Sequence, residues 1–157
     1  MPLDVVVDTN VLVHSQNPKE PRCALSCAFL EKLLGSTTKL AVDEGFSLDQ
    51  AQNSSFIGYE YIKYLTFGSL AMSIIIKMAS SKRIDFLPKR APQREQKIIE
   101  QTIRNKIDRV FVGVAYNFRE HLLVSHDFED FQVEKRQFFR RMIGVNICEA
   151  DDMVPIL

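Results

Sequence analysis

Five short apolar runs, separated by stretches of helical periodicity, frame this chain of 157 residues. The first, Leu3 to Val7, is β-branched and nearly continuous, and it stops abruptly on Asp8, Thr9 and Asn10. That pattern reads as a strand buried on both faces, with a carboxylate at its carboxyl end. The second run, Lys39 to Val42, is closed by Asp43-Glu44-Gly45, and the third, Arg83 to Leu87, is stopped by Pro88. The fourth, Leu122 to Ser125, ends in His126-Asp127-Phe128-Glu129-Asp130, and Val145 to Cys148 is the fifth.

Between the runs the apolar positions change to helical spacing. Pro18 and Pro21 punctuate a loop after the first strand, and a helix follows from Arg22 to Leu34. Its apolar residues Ala24, Leu25, Ala28, Phe29 and Leu33 share a stripe, and Gly35 is its stop. A helical region capped by Ser47 reaches Leu65, Gly68 breaks it, and Ser69 to Ser80 is apolar on most faces. A polar helix from Pro92 to Asn105, a helix from Asp108 to Phe118 and a basic helix from Phe131 to Met142 complete the set. Strands alternating with helices predict an α/β fold: a three-layer α/β/α sandwich around a mainly parallel sheet of four to five strands. No internal repeat or linker divides the chain, so residues 1–157 are expected to form a single domain. The first strand, the most continuously apolar, is expected at the sheet's centre.

Composition narrows the picture only a little. Twenty basic and twenty acidic residues cancel, so any basic surface for a polyanion must be local. The longest apolar run, Ser69 to Ala79, contains Lys77 and is too short to span a bilayer. The amino terminus opens on a charged strand rather than a basic and then apolar leader, so a cytoplasmic protein is expected. Cys23, Cys27 and Cys148 form no CxxC pair, and Cys23 and Cys27, one helical turn apart, read as small packed hydrophobes of a reducing compartment. The histidines show no zinc-ligand spacing, and His126 reads as a loop residue at the surface.

The acids carry the chemistry. Two strands end alike, on Asp8 and on Ser125-His126-Asp127, and parallel strands open on the same edge, where α/β sheets bind ligands. Brought together, Asp8 and Asp127 would repel unless a cation intervened, and hard oxygen donors suit Mg²⁺ or Mn²⁺. Taken singly, each also fits the cap of the helix that follows. Asp108 lies three, four and seven residues before Phe111, Val112 and Ala115, on the core-facing stripe, although a first-turn acid also fits capping. Glu60 lies in mid-helix on a face with Phe56, Ile57, Tyr61 and Tyr64, where a carboxylate requires a metal or a buried basic partner. Asp43 and Glu44 are further candidates, with turn formation as the alternative.

Four segments together resemble a known family. Val7-Asp8-Thr9-Asn10-Val11-Leu12 resembles the opening motif of PIN-domain (PilT N-terminus-like) nucleases, and Ile57-Gly58-Tyr59-Glu60-Tyr61 resembles their second acidic motif. Asp108-Arg109-Val110-Phe111-Val112-Gly113-Val114-Ala115 resembles the third, and Leu123-Val124-Ser125-His126-Asp127-Phe128-Glu129-Asp130-Phe131 the fourth. The resemblance covers nearly the whole chain. It implies a Mg²⁺- or Mn²⁺-dependent endoribonuclease in which Asp8, Glu60, Asp108 and Asp127 hold the metal. Asn10 and Ser125 are the small polar residues that support the pocket. It also implies an RNA substrate and, as in toxin-like members, a homodimer silenced by an antitoxin protein. The fourth motif departs from the family pattern: where a second Asp usually stands two residues after the first, this chain has Glu129, with Asp130 one later. The segment from Ser47 to Ser80 is long for the smallest members, which leaves Asp43 as a substitute for Glu60.

Basic residues near the acidic edge, Lys135, Arg136, Arg140 and Arg141 on one helix and Lys89, Arg90 and Arg94 on another segment, fit either phosphate contacts or a solvated face. Tyr59, Tyr61, Tyr64 and Phe67 fit either base stacking or the core. Two other functions compete. A phosphotransfer enzyme with Asp8 as nucleophile usually has a second Asp two residues on, where this chain has Asn10. A silent PIN-like module that binds RNA or protein would not need the set of acids.

Overall fold

The computed structural model describes residues 1–157. Its sheet has five strands, all parallel: β1 (Asp4–Val7), β2 (Lys39–Asp43), β3 (Ile84–Leu87), β4 (Leu122–Val124) and β5 (Asn146–Cys148). Their order is β3-β2-β1-β4-β5, so the first strand is central. Val5, Val6 and Val7 are wholly buried, as the unbroken β-branched run requires. Eight helices flank the sheet in a three-layer sandwich: α1 (Thr9–Ser15), α2 (Cys23–Gly35), α3 (Phe56–Tyr64), α4 (Leu70–Ser80), α5 (Gln93–Thr102), α6 (Lys106–Tyr116), α7 (Val133–Ile143) and α8 (Ala150–Met153). No helix is long and apolar enough to cross a membrane.

α6 lies across β1, β2 and β4 and turns Phe111, Val112, Val114 and Ala115 into the core. Gly113 allows the β3–α5 loop to approach that helix: a Cβ there would stand 2.3 Å from the Lys89 carbonyl oxygen. α4 buries Ala71, Met72, Ile74, Ile75 and Met78, so most of its apolar surface belongs to the core. Gly144, in the left-handed region at φ 73°, ends α7.

Two departures from the sequence pattern have local causes. Thr9–Ser15 is a helix, an element the sequence pattern did not assign between the first strand and the loop at Pro18 and Pro21, because its β-branched residues weaken the helical signal. The region after Ser47 does not become helical until Phe56, because Ser55 rather than Ser47 is the cap, its hydroxyl accepting from the Gly58 N–H at 2.8 Å. Asp43 reinforces this start from β2, its carboxylate accepting from the Ser55 hydroxyl and from the N–H groups of Phe56 (2.8 Å) and Ile57 (3.0 Å).

Asp43 is therefore a buried anchor for a helix N-terminus, not a stand-in for Glu60 at the metal edge. Removing its carboxylate leaves three donors facing the interior. Asp43→Ala is expected to lose about 2–4 kcal/mol of stability, read as a fall in the denaturation midpoint. A loss under about 0.5 kcal/mol would contradict that role.

Candidate metal centre

Register brings the first two acids together. Val6 is opposite Leu123 and Val7 opposite Val124, and the Asp8 N–H continues the ladder to the Val124 carbonyl at 2.9 Å. Asp8 thus stands beside Ser125, two residues before Asp127. The third acid comes from the helix laid across these strands. Carboxylate oxygens of Asp8, Asp108 and Asp127 all lie within 4.8 Å of one another, from three segments far apart in the chain.

Capping does not account for two of the three. Asp8 occupies the N-cap position of α1, yet its side chain makes no capping hydrogen bond. Its Oδ2 instead accepts from the Ser125 hydroxyl at 2.7 Å and from the Asn10 side-chain amide at 3.2 Å. Asp108 sits in the first turn of α6, but Asn105 is the cap, accepting from the N–H groups of Ile107 and Asp108. The Asp108 carboxyl is left for the interior. Asp127 does carry a turn: its Oδ1 accepts from the N–H groups of Glu129 (2.9 Å) and Asp130 (3.0 Å). Ser125 links the two strand-end acids, since the oxygen that donates to Asp8 also accepts the Asp127 N–H at 3.0 Å. Asn10 similarly reaches across, its Oδ1 accepting the His126 N–H.

The electrostatics are those of an overcrowded cup. Burial pushes Asp8 up to about 6, with the hydrogen bond from Ser125 pulling the other way and the charge of Asp127 adding to the rise. Burial pushes Asp108 further, to about 9, helped by a hydrogen bond to the Asp130 carboxyl and by the charges of Asp8, Asp130 and Asp127. The three ion pairs of the chain, Arg22–Glu149, Lys39–Asp85 and Arg90–Glu100, all leave the cup out. The three acids suit a hard divalent ion. Oxygens bound to one such ion at about 2.0–2.6 Å lie within roughly 4–5 Å of each other, which is the span these acids occupy.

Glu60 does not come within that span. It is half-buried on α3, and its carboxyl is raised by burial and lowered by the charge of Lys63 on the same helix. Of the residues expected on its face, Ile57 and Tyr61 are buried, but Phe56 and Tyr64 are exposed. Glu60 therefore stands at the border of the stripe rather than within it. The acid that adjoins the trio is Asp130, through Asp108. The displaced second acid of the fourth motif was its signal.

The basic residues and histidines also resolve. Arg136 is not free for phosphate: its guanidinium donates to the carbonyls of Phe131, Ser125 and Asp127, bracing the loop that carries Asp127. It also lies over the ring of Phe128, 4.3 Å from its centre. His126 is not at the surface but buried. Its Nε2 accepts from the Ala150 N–H at 3.2 Å, which assigns the proton to Nδ1, 2.9 Å from Nδ1 of His14. The two rings stack, and burial holds His126 down to about 4, so it is neutral at pH 7. Cys23 and Cys27 are free thiols, both facing the Ser15 carbonyl.

No protein-family model matches the chain, and neither the curated proteins nor the solved structures contain a significant match. Fold and site therefore define a class by themselves: a parallel α/β sandwich with an acidic cup at the carboxyl edge of its central strands.

Proposed function

We propose that the chain is a divalent-metal-dependent endoribonuclease of the PIN-domain type, cutting phosphodiester bonds in single-stranded RNA. One observation carries the reading: three carboxylates from β1, α6 and the β4–α7 loop meet within 4.8 Å with no basic side chain paired to them. Carboxylates packed so closely are tolerable when protonated or when joined by a cation. The resemblance of the four acidic motifs supplies the reaction class.

Asp8, Asp108 and Asp127 would hold Mg²⁺ or Mn²⁺. Bound there, such an ion would make water a better nucleophile and neutralise charge on the scissile phosphate. The chain's own residues set the stage. Ser125 and Asn10 fix Oδ2 of Asp8, Arg136 fixes the loop of Asp127, and the Asp130 carboxyl is hydrogen-bonded to that of Asp108. In this reading Asp130 takes the place of Glu60 as the fourth acid.

The test is cleavage of a short labelled single-stranded RNA with Mg²⁺ or Mn²⁺. Native protein is expected to cut it, EDTA to stop the cut, and Asp8→Asn to slow it on the order of a hundredfold or more while staying folded. Cleavage by Asp8→Asn at the native rate, or none by native protein with either ion, would leave only a non-cutting binding module.

A further inference from the structure

The outer face of α3 carries rings the core does not use. Phe56 is 38% exposed and Tyr59 54% exposed, one turn apart on the helix, while Tyr61 on the opposite side is buried with its hydroxyl donating to the Val7 carbonyl. A helix that already buries Ile57, Gly58 and Tyr61 has no packing need for two more rings on its wet side.

Those rings adjoin cationic ground. Phe56 lines a cleft of about 280 Å³ together with Lys89, Lys106 and Arg109. The Lys89 ammonium lies over the Phe56 ring, 4.7 Å from its centre. Within this cleft Arg90 is paired with Glu100, and the Arg109 guanidinium donates to the carbonyls of Ile103 and Glu100. Lys89 and Lys106 have no carboxylate partner. A second hollow, shared by Phe56, Tyr59 and Ile107, continues the strip along α3. Both depressions end on the first turn of α6, where Lys106 and Ile107 immediately precede Asp108.

We propose that this strip is a binding platform for a single-stranded nucleic acid, its bases stacking on Phe56 and Tyr59 and its phosphates held by Lys89 and Lys106. Exposed rings, with the Lys89 ammonium on Phe56 and that of Lys63 5.8 Å from the centre of Tyr59, beside ammonium groups that have no carboxylate partner match the two chemistries a single strand presents, whereas a duplex hides its base faces. As the path by which substrate reaches the acidic cup, the platform rests on the nuclease reading. As a binding surface it stands or falls separately.

Binding is measured by anisotropy of fluorescein-labelled oligouridine, oligothymidine and a blunt RNA duplex. The measurement is made in EDTA and repeated with Mn²⁺ on an Asp8→Asn background. The single strands are expected to bind more tightly than the duplex, and the two single strands separate RNA from DNA preference. Phe56→Ala with Tyr59→Ala is expected to weaken binding by about tenfold or more, and the ring-preserving Phe56→Tyr with Tyr59→Phe to retain it. Lys89→Ala with Lys106→Ala is expected to weaken binding and flatten its salt dependence by about one unit of log–log slope. The chain has no tryptophan, so Tyr59→Trp supplies a single indole, whose fluorescence a stacked base should quench. Native-like affinity in both alanine pairs, no quenching, or duplex binding as tight as single-strand binding would overturn the platform. Loss in the ring pair that Phe56→Tyr with Tyr59→Phe also shows would do so too. Strand binding without cleavage would instead remove the nuclease reading and leave the platform standing.

Discussion

In EDTA at pH 8, Asp108→Asn is expected to be more stable than the native protein, and in Mn²⁺ less stable. Asp108 is buried beside two other acids and hydrogen-bonded to a fourth, with its carboxyl raised to about 9. At pH 8 the unfolded chain releases that proton freely, and the folded chain does not. An amide of the same shape has no proton to lose and can donate to a neighbouring carboxylate. Relief of this conflict is expected to add about 1–3 kcal/mol without metal. The same substitution removes one of three anionic donors, so stabilisation by Mn²⁺ should shrink and RNA cleavage should fall on the order of a hundredfold or more. Melting curves of both proteins, each with EDTA and with Mn²⁺, read the crossing. A variant weaker than native protein by the same margin in both conditions would mean that Asp108 is a structural residue and that the cup is not charge-frustrated.

How far the chain could be read in advance depended on the range of each interaction. Val5-Val6-Val7 and Leu122-Leu123-Val124 are buried on both faces, and nothing competes with that pattern, so β1, β4 and the acids at their ends were legible. Asp108 was legible because helical spacing alone sets it among Phe111, Val112 and Ala115. Glu60 sits at the edge of an amphipathic stripe, where a rotation of less than one residue moves a side chain out of the core. Asp43 was opaque for another reason: its partners, Ser55, Phe56 and Ile57, return to it only after the intervening turns fold. The buried pairing of His126 with His14 is a contact between residues 112 positions apart and left no local signature. Thr9–Ser15 went unread as a helix because its β-branched residues have low helix propensity and the segment is only seven residues long.

Proton linkage gives the sharper test of the cup as a metal site. Asp8 and Asp108 have folded-state values of about 6 and about 9, against an ordinary 3.8. A raised carboxyl binds its proton more tightly in the folded chain, so its contribution is complete below 3.8 and is lost as pH rises through the folded value. Asp4 adds to the same limb. Burial and the neighbouring Asp85 raise it to about 7, while Asp85, hydrogen-bonded to Asp4, is lowered and contributes in the opposite sense, at acid pH. Without metal, the melting temperature is therefore expected to decline from about pH 5 to pH 9. Saturating Mn²⁺ should flatten the part of that decline due to Asp8 and Asp108, because the ion replaces the protons. It should leave the part due to Asp4. At pH 7.5 the proton displaced is chiefly that of Asp108, since Asp8 is already largely ionised, so about one proton should leave per ion bound. Calorimetric titrations of Mn²⁺ in two buffers of different ionisation enthalpy count that proton directly. The count should fall toward zero above pH 9 and rise toward two near pH 5, where Asp8 also holds its proton. In Asp108→Asn the proton released at pH 7.5 should vanish while a weakened affinity remains. Ion binding with no proton release at pH 7.5 in the native protein would place the metal elsewhere, and the exposed group of Glu149, Asp151 and Asp152 would be the next place to look.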